Sequence, residues 1–486
     1  MPRGEAGNCP GRSVTAVPYG DRMRRTWLVI IAAMLWMARV SGQPERHPPG
    51  GHAIEIPMSG QSPFAACAPN PQIGSVIMNS AVEPFITSDP GNPDHLVGVW
   101  QQNRWTNGGA DGTLAAVSTD GGWNWTLSTP PLTQCTGGVW DRASDPWVSI
   151  APDGTVHQIA LGLDRVGAAN QSNSVLATRS KDGGLTWSDA ITLIQDSDGG
   201  DDKESLTADP TDARYVYAVW DRPATGSRQP TLFSRTTDGG ATWEPARVIF
   251  DPGANTYTTG NVIVVLPDGT LLDLLALYGG SGNRVTVIRS QDKGVTWSAP
   301  VTVSTNQSVG TLDLKTHIAV RAGSGLPAIA VDRKSGALYI VWQDARFAGG
   351  RYDGIALSKS TDGGLTWTFP QQVNRAPDFQ AFTPAIAVAA DGGVAVTYYD
   401  FRNDSPDPTV LLVNRWQVTS PDGGGSWVEM PIGATFDLMK APTLTAGTVF
   451  LGDYQGLAAS ARSFVSFSSA VSGPTAIWAA PVRVRP

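Results

Sequence analysis

One eight-residue pattern, Ser/Thr-x-Asp-x-Gly-x-x-Trp, occurs six times in this 486-residue chain, at Ser118–Trp125, Ser180–Trp187, Thr236–Trp243, Ser290–Trp297, Ser360–Trp367 and Ser420–Trp427. Successive copies start 62, 56, 54, 70 and 60 residues apart, so one structural unit recurs along the chain. The chemistry of the pattern is that of a hairpin turn. Its Asp and Ser/Thr oxygens can bond the turn's own backbone, glycine admits positive φ, and the closing Trp can pack beneath the next strand. The repeated carboxylates, Asp120, Asp182, Asp238, Asp292, Asp362 and Asp422, are therefore expected to be structural.

Each unit carries four short apolar stretches, here a to d. In the fifth, Leu326–Asp332, Ala337–Gln343 and Gly354–Ser360 read as strands a to c, and a short d follows Trp367. Such strands between Gly, Asp and Pro turns predict an all-β chain. The 54 Gly and 36 Pro exclude long helices. A four-stranded unit cannot bury both faces alone, so the units are expected to stack around an axis as blades of a β-propeller. Six units begin near Glu83 and end with the six turns. Beyond Trp427 lie three more strands, near Val449–Ala458, Ser463–Val471 and Thr475–Val484, and Ile73–Asn79 is available as a fourth. Seven blades are favoured, with six as the alternative, in a single domain spanning 63–486.

Only 16% of residues are charged and the net charge is −8, so no basic field exists for nucleic acid or an anionic membrane. Arg24-Arg25 precedes an apolar run, Trp27–Ala38, that ends at the small residues Val40-Ser41-Gly42. That is the pattern of a secretory signal over 1–42, with Met23 as an alternative start. The run is shorter than the roughly 20 residues of a membrane span. A secreted or periplasmic monomer without a membrane span is expected after cleavage, preceded by a flexible Pro/Gly-rich leader, 43–62. In an oxidising compartment Cys67 and Cys135 can pair. The few histidines form no zinc cluster, Asp196–Asp202 lacks the distal Glu of a Ca²⁺ loop, and no Gly-x-Ser-x-Gly elbow is present. No metal or other cofactor is expected.

The six turns match the Asp-box, or bacterial neuraminidase repeat, and the chain resembles the sialidase superfamily over nearly all of its mature length. In that family the boxes lie opposite the active site, which is built from the d-to-a and b-to-c connections. The nearest local likeness is Gly325–Trp367. On that match Arg346 would bind a carboxylate and Asp353 would be the general acid/base, while Gly325 stands where the family has an arginine.

An acidic or amide residue followed by Arg recurs at the end of strand b: Gln102-Asn103-Arg104, Asp164-Arg165, Asp221-Arg222, Asp344-Ala345-Arg346 and Asp400-Phe401-Arg402. The guanidinium groups either line a pocket for an anionic sugar or hold their own loops, and recurrence favours the second reading. Asp111 precedes its box as Asp353 does, so one of the two can be structural. Residues that break the repeat are more informative: Glu204, Asp453 with Tyr454, Glu83 and Arg142. Retaining sialidases use a Tyr nucleophile in place of the usual carboxylate. The resemblance therefore implies Tyr454 as nucleophile, Glu204 as its base and Asp353 as acid. Arg346, Arg104, Arg142, Arg222, Arg402, Glu83 and Asp453 would bind substrate. The expected function is removal of a terminal, acidic sugar from a glycan; the alternative is a non-catalytic propeller that binds glycan or protein.

Overall fold

The computed structural model describes residues 39–41, 53–67, 73–168, 171–196, 200–222, 228–445 and 447–483. The chain divides into two compact units, Met1–Trp36 and Met37–Pro486, of which the first lies outside the described residues. Of the expected signal only Arg39–Ser41 is described, as a strand antiparallel to Asn124–Ser128. No helix among the described residues is long and apolar enough to cross a membrane.

Seven antiparallel units of four strands, called sheets below, follow one another in the second unit: the first two are joined in one nine-stranded sheet, the fourth carries Arg228–Gln229 as a fifth, parallel strand, and a three-stranded sheet stands outside the series. Their first strands are β1 (Ala81–Ser88), β2 (Arg142–Ile150), β3 (Asp202–Ala208), β4 (Thr256–Val265), β5 (Ala328–Val331), β6 (Ala381–Val388) and β7 (Gly456–Ala459). These seven stand side by side in order, and β7 lies beside β1. The second strands, such as Leu96–Arg104, Val216–Asp221, Leu338–Asp344 and Val394–Asp400, are buried at every residue. That is why they read as continuous apolar runs: both faces pack against neighbouring sheets. Val97, Val99 and Ala115 of the first sheet meet Val148, Ile150 and Val156 of the second. Trp100 and Leu114 of the first sheet meet Val465, Phe467 and Ile477 of the seventh.

The strand that completes the seventh sheet differs from expectation. Ile56–Pro57, not Ile73–Asn79, pairs with Ala479 and Trp478. Burial decides between them: Ile56 and Met58 are each 2% exposed, whereas Ile73 and Met78 are 55% and 42% exposed. Residues 53–62, read as a flexible leader from their composition, are thus packed, and the Glu55 carboxylate pairs with Arg415. The Val449–Ala458 stretch also proves to be two strands: Val449–Phe450 runs parallel to Ala319–Arg321, and only Gly456–Ala459 begins the sheet. A disulfide joins Cys67 to Cys135.

The six repeated turns share one hydrogen-bond scheme. In the fifth, Asp362 Oδ1 accepts from Ser360 Oγ (2.8 Å) and from the amides of Leu365 (3.1 Å) and Thr366 (3.0 Å), while Oδ2 accepts from Thr366 Oγ1 (2.6 Å). The other five keep the contacts to the preceding Ser or Thr and to the amide four residues on. The Thr366 hydroxyl and then its amide hold Asp362 down to about 2, as the corresponding groups hold Asp238 and Asp292. These carboxylates are spent on their own turns.

Candidate active site on the axis

Five of the inner strands lose register at the same place, between Val82 and Phe85, Ser144 and Trp147, Asp202 and Ser205, Thr259 and Val262, and Phe382 and Ala385. Each slip is a β-bulge that leaves two residues out of the ladder. The first of the two has positive φ: Glu83 (53°), Asp145 (49°), Lys203 (52°), Gly260 (67°) and Thr383 (49°). Glycine adopts this conformation freely, whereas a residue with a Cβ is strained by roughly 1–3 kcal/mol. A bulge also re-aims side chains, and here it turns three charged ones toward each other.

Lys203 Nζ lies 2.7 Å from Asp145 Oδ2, 2.9 Å from Asp453 Oδ2 and 3.7 Å from Glu83 Oε1. Arg321 Nε donates to Asp453 Oδ1 at 2.9 Å, placed there by the parallel pairing of Ala319–Arg321 with Val449–Phe450. The Gln101 amide donates to both Glu83 and Asp145, and Arg104 Nη1 donates to Gln101 Oε1 at 3.1 Å. Against its burial, the Lys203 ammonium holds Asp145 down to about 2. Against burial again, Lys203 and Arg321 hold Asp453 well below the usual carboxylate range. Burial first, then the Asp145 charge, pushes Glu83 up to about 8. Two cations therefore face Asp145 and Asp453, both held low, and Glu83, pushed up, with Asp202 Oδ1 a further 4.0 Å from Lys203 Nζ.

The cluster borders an axial cavity of about 220 Å³, whose lining includes Trp147, Lys203, Glu204, Asn261, Asp453 and Tyr454. Glu204 is 3% exposed, and neither of its carboxylate oxygens has a hydrogen-bond partner. Asn261 is 1% exposed and leaves its Nδ2 unpartnered. Both are the second residue of a bulge, a position that Pro84, Pro146 and Pro384 occupy in the other three bulged strands. Burial, then the charge of Asp145, raises Glu204 well above the usual range, which favours its protonated form. Tyr454 is likewise raised, first by burial and then by Asp145, and its hydroxyl donates to the Pro146 carbonyl at 3.3 Å. Its ring meets Trp147 edge-on with centroids 5.6 Å apart.

Glu83, Glu204, Asp453 and Tyr454 are thus brought to one place, although Tyr454 precedes β7 by two residues rather than opening it. The five arginines are not. Arg346 is bidentate on Asp344 (2.8 and 2.8 Å), Arg222 is bidentate on Asp201 (2.8 and 2.7 Å), and Arg402 holds Asp400 and Glu429. Arg142 bonds Asn107 (2.9 Å) and the carbonyls of Gly108 and Ile73 (2.7 Å each), and Arg104 bonds Gly109 O (3.1 Å) besides Gln101. Each guanidinium finds its acceptors nearby, and none lines the axial cavity.

Asp353, expected as the acid, accepts from Ser308 Oγ (2.6 Å), Val309 N (2.9 Å) and Gln343 Nε2 (3.2 Å) outside the cavity lining. Asp111 is held in the same manner by Asn103 and Trp105, so the two matching aspartates share a loop-bracing role. At Gly325 a Cβ would lie 2.5 Å from the Tyr278 hydroxyl, which leaves no room for an arginine side chain; Arg321, four residues earlier, reaches the axis instead.

Asp145, Lys203, Asn261 and Arg321 escaped sequence reasoning. A signal for the first three exists once the inner strands are aligned on their bulges: Glu83-Pro84, Asp145-Pro146, Lys203-Glu204, Gly260-Asn261, Thr383-Pro384. Among the described residues no group of His, Cys, Asp and Glu is arranged to hold a metal ion; at the axis the central cation is the Lys203 ammonium.

No known family model and no curated protein matches the chain. Among solved structures the chain is similar to a Hadza microbial sialidase, Hz136, at 12% identity over 92% of this chain and 95% of that one, with a TM-score of 0.45. It is also similar to the leech intramolecular trans-sialidase (10% identity, 89% and 97% covered, TM-score 0.44). A third is the alpha-L-arabinanase of Penicillium chrysogenum (12% identity, 89% and 99% covered, TM-score 0.45).

Proposed function

We propose that the protein is a secreted glycoside hydrolase that releases a terminal sugar from a glycan, and that its seven sheets are the blades of a β-propeller with the active site in the axial cavity. Secretion rests on the Arg24–Ala38 signal pattern and the Cys67–Cys135 disulfide. The observation that carries the activity is Glu204: a buried, partnerless carboxyl, raised by its burial, that opens onto the same cavity as Asp453, which Lys203 and Arg321 hold low. Glycosidic cleavage uses two carboxyl groups whose surroundings drive their pKa values apart. Glu204 donates its proton to the glycosidic oxygen as the C–O bond breaks, and Asp453 faces the positive charge that develops at the anomeric carbon. Water then adds at that carbon and returns a proton to Glu204. Tyr454, with its proton held firmly and its ring beside Trp147, forms a wall for the sugar rather than a nucleophile.

Lys203 and Arg321 are already engaged by carboxylates, and Arg333, the remaining cation of the cavity lining, follows the far end of its inner strand, so an acidic sugar would find no free guanidinium beside Glu204. The substrate sugar in this reading is uncharged. Purified mature protein is expected to turn over at least one neutral fluorogenic glycoside and to leave a sialoside intact, with Glu204→Gln lowering kcat by about 100-fold or more. Absence of turnover on the whole panel by folded protein would overturn the reading. Local bonding of all five arginines favours one alternative, a non-catalytic propeller that binds a glycan or protein; saturable glycan binding without hydrolysis in the same panel identifies it.

A further inference from the structure

We infer a second ligand site at the opposite end of the axis, one that takes a small organic carboxylate with an apolar body and is centred on Arg333. A wider cavity of about 480 Å³ opens there among the turns that leave the inner strands, lined by Asp89, Ala390 and Ser460 among others. It shares Phe85, Thr87, Ile329, Arg333, Ile386 and Leu457 with the axial cavity, so these six residues stand between the two. Arg333 is the single charged residue of the six.

Its guanidinium has no hydrogen-bonded or ion-paired partner among the described residues, in contrast to Arg104, Arg142, Arg222, Arg346 and Arg402. Asp89 is the nearby carboxylate whose charge acts on Arg333, without a direct bond, and both Asp89 and Asp332 have hydrogen-bond donors of their own. Asp89 accepts from the amides of Gly91 (2.7 Å) and Asn92 (3.2 Å) and contacts His95 Nδ1 (3.1 Å). Asp332 accepts from Lys334 N (2.9 Å) and from the Ser335 hydroxyl. Lys334, exposed at the rim, adds a second positive charge.

Ile329, Val331, Ile386, Val388 and Leu457 supply aliphatic walls. A guanidinium set against aliphatic walls has lost part of its competing water, which strengthens a bidentate bond to a carboxylate. These aliphatic side chains accept a hydrocarbon chain, while Ser88, Asp89 and Ser460 make part of the lining polar. This site rests on no part of the glycosidase reading, because none of its charged groups belongs to the Lys203 cluster.

Titration calorimetry of the full mature chain with octanoate, octanol and octylamine tests the assignment. Octanoate is expected to bind saturably, and Arg333→Gln to weaken it by about tenfold or more, the loss of a charge-assisted bond, with Arg333→Lys retaining part of the affinity. The melting temperature of both variants should equal that of the parent, since Arg333 holds no partner. No octanoate binding, equal binding by octanol, or unchanged octanoate affinity in Arg333→Gln would each overturn it. Glycoside turnover is measured separately, so failure of one assignment leaves the other standing.

Discussion

Asp273 shows what one side chain imposes on this chain. It lies in the strand Leu271–Gly279, paired with Ile263 on one side and Ile288 on the other, fully buried with neither carboxylate oxygen bonded. Burial alone raises its pKa well above the usual value. The folded chain therefore keeps a proton that the unfolded chain releases above about pH 4, and stability falls as pH rises beyond that point, by up to about 1.4 kcal/mol per pH unit. Asp273→Asn is expected to be more stable than the parent at pH 7, with a smaller advantage at pH 5; urea melts at the two pH values check it. Residues of this kind leave no trace in a pattern search, because an Asp inside an apolar run looks like any turn residue. Glu204 and Tyr454 were legible for the opposite reason: they interrupt a repeat.

At the scale of the strand, the bulge is the device that builds the site. Regular alternation would send Glu83, Asp145 and Lys203 into the faces between sheets, whereas the slip of register turns them toward the axis. Turn chemistry and apolar runs revealed the strands, but register within them was invisible, and so was the convergence of Asp145 and Lys203. The arginine pairs misled for a related reason. They recur at strand ends, and recurrence reflects a loop that each sheet must brace. Pro84 and Pro146 follow residues with the same positive φ as Lys203, so Glu204→Pro restores the repeat's own residue at a backbone position suited to it. That variant is expected to fold with a melting temperature near the parent's and to lose about 100-fold or more in turnover. A large drop in melting temperature would mean that Glu204 is structural.

Across the whole second unit, the Lys203 ammonium is a junction. Its carboxylate partners come from the first and second sheets and from the approach to the seventh, while Lys203 itself belongs to the third. Lys203→Met leaves Asp145 and Asp453 buried beside each other without their common cation, and a loss of about 3–5 kcal/mol is expected. Urea unfolding at pH 7 measures it, and the deficit should shrink in acid as the carboxylates take up protons.

Closing the last sheet is the other junction, and it was the part of the fold least readable in advance, because Ile56–Pro57 offers two residues and no periodicity. Ile477 N donates to Ser59 Oγ across 418 residues of chain. The segment around Ser59 can therefore pair only once Ile477, 418 residues further along, has been made. Until then the outer edge of Thr475–Arg483 and the Trp100 face of the first sheet have nothing to pack against. Closure of the last sheet waits for Thr475–Arg483, and a nascent chain arrested before Trp478 would hold Ile56–Pro57 unplaced.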